Sequence, residues 1–396
     1  MSASKLFQVV ILCVACGVVA LACQQRAFAD EPCPVRQLPV PTGKYAVGTT
    51  ILPVQQLAKT STSRQAQLWY PASSGSSAKP ASYIPDRALL AALKSEKFLS
   101  LPDCVFDFWA AMKVSAQLDA PVATGARVPF VMIAPGAGVS RISYSYYAEQ
   151  LASDGYIVAT LDFSEGGFLL RDGKLLQEGP EPKDESDYGK QAQQMAAHMS
   201  DLLDEVSSKP RPSDPRILRD IAARVDPAKI AAIGHSLGGA AALDICLSDP
   251  RVTACVDFDG IPESPIAEHG IKTSALMLRS HPDYSEADLI KLHRDPVTWK
   301  AKGDKIKSDL AKLLAAPGPD AWIISIQGTG HMSYSDAPFT MPTTLTQFGG
   351  TYLEPHRILT ITISIVEQYL QHAFASASFT VDSFPEATVQ ASRFRH

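Results

Sequence analysis

Residues Gly234-His235-Ser236-Leu237-Gly238-Gly239 carry the strongest chemical signal in the chain. The pattern is G-x-S-x-G, a serine with glycine two positions to either side. A serine hydroxyl is a weak nucleophile at neutral pH and needs an adjacent base. It must also project from the tip of a strained turn, where side chains at 234 and 238 would collide with the flanking strand and helix. An apolar run, Lys229-Ile230-Ala231-Ala232-Ile233, precedes the motif, and a helix-like run, Ala240 to Ile245, follows it. Strand, turn and helix would aim the N–H groups and dipole of the helix at the reacting centre. Ser236 is therefore the expected nucleophile, the bland alternative being a glycine-rich turn.

The base and its acid should follow in the order Ser, acid, His, each just past a strand. Of nine histidines, two fit that place downstream of Ser236: His281 and His331. His331 follows the last expected strand in Gln327-Gly328-Thr329-Gly330-His331, and its two glycines let the loop swing the imidazole over the serine. It is the preferred base. His235 adjoins the serine in sequence, but its side chain must point away along the turn, so packing or tuning of the site is expected of it. Three acids compete. Asp259 sits at a strand tip before Gly260. Asp257 points the same way one step deeper, where an unpaired charge is costly. Asp283 follows the next strand, the commoner place for the acid in such folds. The acid would hold the imidazole tautomer and stabilise its charged form. The oxyanion formed during attack needs donors, expected from the backbone N–H of Leu237 and that of Ala137, in the turn Gly136-Ala137-Gly138.

These residues demand a scaffold of alternating strands and helices. Tyr45–Val54 and Arg64–Tyr70 read as an opening antiparallel pair. From 128 onward strands are expected at 128–134, 156–162, before Ser236, and at 252–258, 275–279 and 322–326. Helices are expected near 144–151, 189–207, 215–224, 286–293, 304–314 and 358–374. That alternation implies an α/β fold with a mostly parallel central sheet covered by helices on both faces. Residues 83–127 and 164–190 read as excursions. The first holds a helix at 87–94 and an aromatic patch (Phe106, Phe108, Trp109), which either caps a binding cleft or simply covers the sheet.

Residues 1–29 read as a signal peptide: Lys5, an apolar stretch from Leu6 to Cys23, and Ala27-Phe28-Ala29 as the cleavage site. Export to the periplasm or the medium is expected, with lipoprotein anchoring at Cys23 and an uncleaved membrane anchor as rivals. Removing Lys5 and Arg26 changes the net charge from −5 to −5 − 2 = −7. No basic run stands out, which argues against nucleic acid as a partner. Four cysteines remain, Cys33, Cys104, Cys246 and Cys255, an even number that suits disulfides in an exported chain, with the pairing open. Residues 30–43 should be extended, 44–375 should form the catalytic domain, and 376–396 should be a loose tail.

Several segments resemble the plasma-type platelet-activating factor acetylhydrolase family of the α/β-hydrolases. They are Val47-Gly48-Thr49, Leu68-Trp69-Tyr70-Pro71, Leu151 to Val158, Gly234 to Gly239, Phe258-Asp259-Gly260 and Gly330-His331. The resemblance implies the α/β-hydrolase fold and an acid directly after the strand that follows the nucleophile helix, hence Asp259. It also implies calcium-independent hydrolysis of short or oxidised acyl esters, including phospholipids, without a metal or organic cofactor. Transient contact with a lipid surface would follow. The family usually has histidine before its oxyanion glycines, whereas this chain has Pro135. Dienelactone hydrolases are also similar but use cysteine where this chain has Ser236. An amide or polyester substrate on the same residues, and a silent scaffold that binds lipid or protein, are the competing readings.

Overall fold

The computed structural model describes residues 33, 35–52, 55–56, 63–75, 77–95, 101–164, 169–171, 174–176, 185–207, 214–261, 266, 269–281, 285–291, 294–315, 318–341 and 353–394. The leader, Asp283 and most of the 164–190 excursion lie outside them.

Fourteen strands are described: β1 (Ala46–Ile51), β2 (Gln55–Gln56), β3 (Ser63–Ala72), β4 (Pro80–Ser82), β5 (Lys113–Leu118), β6 (Val128–Ala134), β7 (Ile157–Phe163), β8 (Leu169–Arg171), β9 (Lys174–Leu176), β10 (Val225–His235), β11 (Ala254–Phe258), β12 (Ser274–His281), β13 (Ala321–Gln327) and β14 (Ala387–Arg393). Twelve of them form one sheet, in the order β14-β13-β12-β11-β10-β6-β7-β3-β1-β5-β4 with β2 on β3. The run from β7 through β6, β10, β11 and β12 to β13 is parallel throughout. β1 and β3 form the expected antiparallel opening pair. β8 and β9 make a separate antiparallel pair inside the 164–190 excursion.

The parallel strands read as continuous apolar runs because both of their faces are covered. In β6, Val131 and Ile133 pack into one core while Phe130, Met132 and Ala134 pack into the other. This is the two-residue alternation of a strand expressed on two buried faces. Helices Ser145–Ser153 and Pro355–Ala375 supply the first core, and helices Glu185–Ser207 and Leu237–Ser248 the second. The result is the α/β-hydrolase architecture. Among the described residues, no helix is long and apolar enough to cross a membrane.

Two expectations change. The segment expected to be a loose tail carries β14, which pairs antiparallel with β13 and closes that edge of the sheet. Its sequence, Ala387-Thr388-Val389-Gln390-Ala391-Ser392-Arg393, is short and polar, so it lacked an apolar signal; main-chain pairing with a neighbour is what orders it. The 83–127 excursion is also more than a cover. It contributes β5, which pairs with β1 and β4, and helix Asp103–Ala111 buries Phe106 and Trp109. Two disulfides settle the cysteine pairing, Cys33–Cys104 and Cys246–Cys255.

Candidate active site

The site is assembled at the carboxyl ends of β6, β10, β11, β12 and β13, as expected for an open parallel sheet. β10 ends at His235, and Ser236 stands alone between that strand and helix Leu237–Ser248 with φ 55° and ψ −121°. A positive φ in a non-glycine residue costs free energy and persists only where the surroundings impose it. Here the Ser236 N–H is held by the Phe258 carbonyl at 2.8 Å, and the Ser236 carbonyl accepts the Gly239 N–H at 2.9 Å. A Cβ on Gly234 would lie 1.8 Å from the Gly238 carbonyl oxygen, and one on Gly238 would lie 2.3 Å from that of Ala134. Both glycines are therefore sterically required, which is what the motif demanded.

Asp259 occupies the tip of β11 and has φ 58°, the second strained residue of the site. Its Oδ2 lies 2.7 Å from Nδ1 of His331. The same oxygen accepts the Ser280 hydroxyl at 2.7 Å, and Oδ1 accepts the Ser280 N–H at 3.0 Å. Arg279 places one guanidinium nitrogen 3.4 Å from Asp259 and another 3.4 Å from Asp257. Burial alone would raise the Asp259 carboxyl. The Arg279 charge and the bond from His331 outweigh it and hold that carboxyl well below its usual range. Asp257 sits deeper and is fully buried, and it bonds the Gly260 N–H at 2.7 Å instead of a histidine. Burial pushes it up to about 6, against the pull of Arg279. The two neighbouring acids thus differ in their partners, and Asp259 is the one whose carboxylate meets the imidazole. Asp283 falls outside the described residues.

His331 opens a short 3₁₀ turn, His331–Tyr334, four residues past the end of β13. The loop before it is fixed by its own backbone. Gly328 donates its N–H to the His281 carbonyl at 3.0 Å, and Gly330 donates to the Ser333 hydroxyl at 2.9 Å. The His331 side chain is 42% exposed while Asp259 is only 10% exposed, so the imidazole faces the solvent side with its acid behind it. Its ring centroid lies 4.6 Å from that of His235, the neighbour of Ser236 in sequence.

His235 is buried between Tyr144, 2.8 Å from its Nδ1, and the His331 carbonyl, 2.9 Å from its Nε2. Burial, then the charge of His331, pushes it down to about 3, so it stays neutral at ordinary pH. Gly136 packs against Ser236, with Ala137 and Gly138 (φ 69°) following it in the same turn.

Beside that turn opens a small, mostly apolar cleft, whose lining includes Leu93, Trp109, Val139, Ile142, Met332 and Met341. Trp109 and Leu93 come from the 83–127 excursion, and Trp109 anchors its indole N–H on the Thr340 carbonyl at 3.2 Å. Among the described residues, no three His, Cys, Asp or Glu side chains group to hold a metal ion. Sequence reasoning missed the roles of Arg279, Ser280 and Tyr144. The first two were visible only as polar residues ending a strand, and Tyr144 belongs to no motif.

The family model described as platelet-activating factor acetylhydrolase, isoform II, matches residues 33–167 and 214–382. A dienelactone hydrolase family model matches residues 115–291. The chain is 24% identical to a platelet-activating factor acetylhydrolase of Canis lupus familiaris, over 77% of this chain and 70% of that protein. It is 27% identical to the Bos taurus protein of the same name, over 56% of this chain and 55% of that one. Among solved structures, a ferulic acid esterase from Streptomyces cinnamoneus has the same fold, with TM-score 0.66 and 21% identity, covering 90% of this chain and 99% of that one.

Proposed function

The chain belongs to the platelet-activating factor acetylhydrolase, isoform II, family and is an ester hydrolase, and from that premise we propose that Ser236, His331 and Asp259 are its catalytic residues. In this reading the Ser236 hydroxyl attacks the ester carbonyl while His331 Nε2 takes its proton. Asp259 holds Nδ1–H of the imidazole and stabilises its charge. The oxyanion is bound by the N–H of Leu237, which opens its helix and so has no carbonyl within it to bond, and by that of Ala137. His331 returns the proton to the leaving alcohol, and water then clears the acyl-enzyme by the same steps. The observation that carries the reading is the 2.7 Å contact between His331 and Asp259, beside the strained Ser236.

The apolar cleft next to Gly138 supports a substrate with a short or oxidised acyl group, and a phospholipid ester of that kind is the proposed class. The dog and cattle relatives carry acetylhydrolase names, in keeping with a short acyl group. Export is proposed too. The leader pattern at 1–29 suggests it, and the two disulfides suit an oxidising compartment.

The decisive experiment treats the purified protein with a fluorophosphonate and maps the adduct by mass spectrometry. Labelling at Ser236, with turnover of p-nitrophenyl acetate lost in Ser236→Ala, is the expected result. A folded protein that takes no label would instead favour a silent binding scaffold. A series of p-nitrophenyl esters and a phospholipid with a short second acyl chain would then define the substrate.

A further inference from the structure

Resting on that reading of the triad, we propose that His235 and Tyr144 are positioning residues: together they form a hydrogen-bonded bridge from the Gly136 backbone to the His331 backbone. The bridge ties the oxyanion turn and the histidine loop to the strand end that carries Ser236.

The bridge has three links. The Gly136 N–H reaches the Tyr144 hydroxyl oxygen at 3.3 Å. That hydroxyl lies 2.8 Å from Nδ1 of His235. Nε2 of His235 lies 2.9 Å from the carbonyl oxygen of His331. Chemistry sets the direction of every link. A carbonyl only accepts, so Nε2 must carry the proton. A neutral imidazole has one N–H, so Nδ1 accepts and the Tyr144 hydroxyl donates to it. The hydroxyl oxygen is then free to accept from Gly136. Each of the two side chains is thus satisfied in a single tautomer, and the line has no slack.

A charged His235 would break this order. With protons on both nitrogens, it and Gly136 would each donate to the Tyr144 oxygen, leaving the tyrosine proton without its acceptor. Burial keeps His235 neutral. This matters because the His331 ring is only 4.6 Å away and accepts a proton during turnover. The bridge leaves Nδ1 of His235 occupied, so the proton taken from Ser236 stays on His331. The packing agrees. A Cβ on Gly136 would lie 3.0 Å from the Ser236 Cβ and 3.4 Å from Nδ1 of His235, so the oxyanion turn rests directly on this pair. Neither side chain belongs to the triad; they act through backbone groups.

The test compares Tyr144→Phe, His235→Leu and His235→Gln with the wild type, reading kcat and KM on p-nitrophenyl acetate, the rate of fluorophosphonate labelling, and Tm. Tyr144→Phe removes one hydroxyl from an otherwise intact core. It is expected to lower kcat about tenfold or more with KM changed less than about threefold, because misplaced groups cost rate before they cost binding. His235→Gln keeps an N–H that can meet the His331 carbonyl, and it should recover at least about fivefold of the kcat lost in His235→Leu. The proposal is overturned if Tyr144→Phe keeps kcat within about twofold while only Tm falls, or if glutamine is no better than leucine. Wild-type labelling separates the two levels of the argument. An unlabelled wild type removes the catalytic reading itself, whereas a labelled wild type matched in rate by Tyr144→Phe removes the bridge alone.

Discussion

Nδ1 of His331 lies 2.7 Å from Oδ2 of Asp259, across 72 residues of chain. The contact is held from both ends. Ser280 and Arg279 orient the carboxylate, and the His331 loop is tied to β12 through Gly328 and His281. Asp259 therefore meets the imidazole as a fixed, ionised acceptor.

Replacing Asp259 by asparagine keeps the size of the side chain but removes its charge and frees the imidazole tautomer. Loss of the orienting acid costs about 10⁴-fold in kcat in the well-studied triad. Asp259→Asn is expected to lose about 10³- to 10⁴-fold, and Asp257→Asn much less. Steady-state kinetics on p-nitrophenyl acetate would decide, and equal losses would remove the distinction drawn between the two acids.

Trp109 walls the cleft beside the oxyanion turn, so shortening it should open space for longer acyl chains. In a pocket that selects by size, one methylene is worth about 1–3 kcal/mol. Trp109→Leu is expected to raise the octanoate-to-acetate ratio of kcat/KM about tenfold. A folded variant with an unchanged ratio would place the acyl group elsewhere.

Glu149 is a buried carboxyl with a stability signature. Burial pushes it up to about 8, against the Ala116 N–H that bonds its Oε1. Asp336 is raised to about 8 in the same way, by burial against the N–H groups of Tyr146 and Ser145. Between about pH 4, the unfolded value, and pH 8 the folded state holds more protons than the unfolded one. Stability therefore falls as pH rises through that window, by at most about 1.4 kcal/mol per unit for each group. His235 acts in the other direction, since its depressed value removes stability as pH falls from about 6.5 towards 3. Glu149→Gln imitates the protonated acid and should flatten the decline between pH 5 and 8 in chemical denaturation. Parallel curves for variant and wild type would contradict this assignment.

Cys33–Cys104 closes a separation of 71 residues and Cys246–Cys255 one of 9. On chain entropy alone, the longer loop should stabilise by about 4 kcal/mol and the shorter by about 3. Cys33→Ser with Cys104→Ser is expected to lower Tm and to loosen helix Asp103–Ala111, which carries Trp109. Calorimetry with and without reductant measures the first effect, and the acyl-chain ratio above reports the second.

Much of the site was readable along the chain because its requirements are local. The strand, turn and helix around Ser236 follow from an apolar run, two glycines and a helix-forming run. His331 and Asp259 were legible as polar residues just past strands. The choice among Asp257, Asp259 and Asp283 was harder, because all three satisfy the same local rule. β14 was missed because an edge strand is ordered by pairing and needs no apolar pattern. Tyr144 was missed because nothing near it in sequence signals a partner at residue 235.

The chain alone determined the alternating scaffold and singled out Ser236 as the proposed nucleophile, since both rest on backbone sterics and short-range periodicity. Tertiary structure decided which acid meets which histidine, which cysteines pair, that the aromatic excursion walls a cleft, and that His235 is buried as a neutral link. Those outcomes depend on strand register and on the order of strands in the sheet. Both arise from packing between segments tens to hundreds of residues apart, which no local pattern encodes.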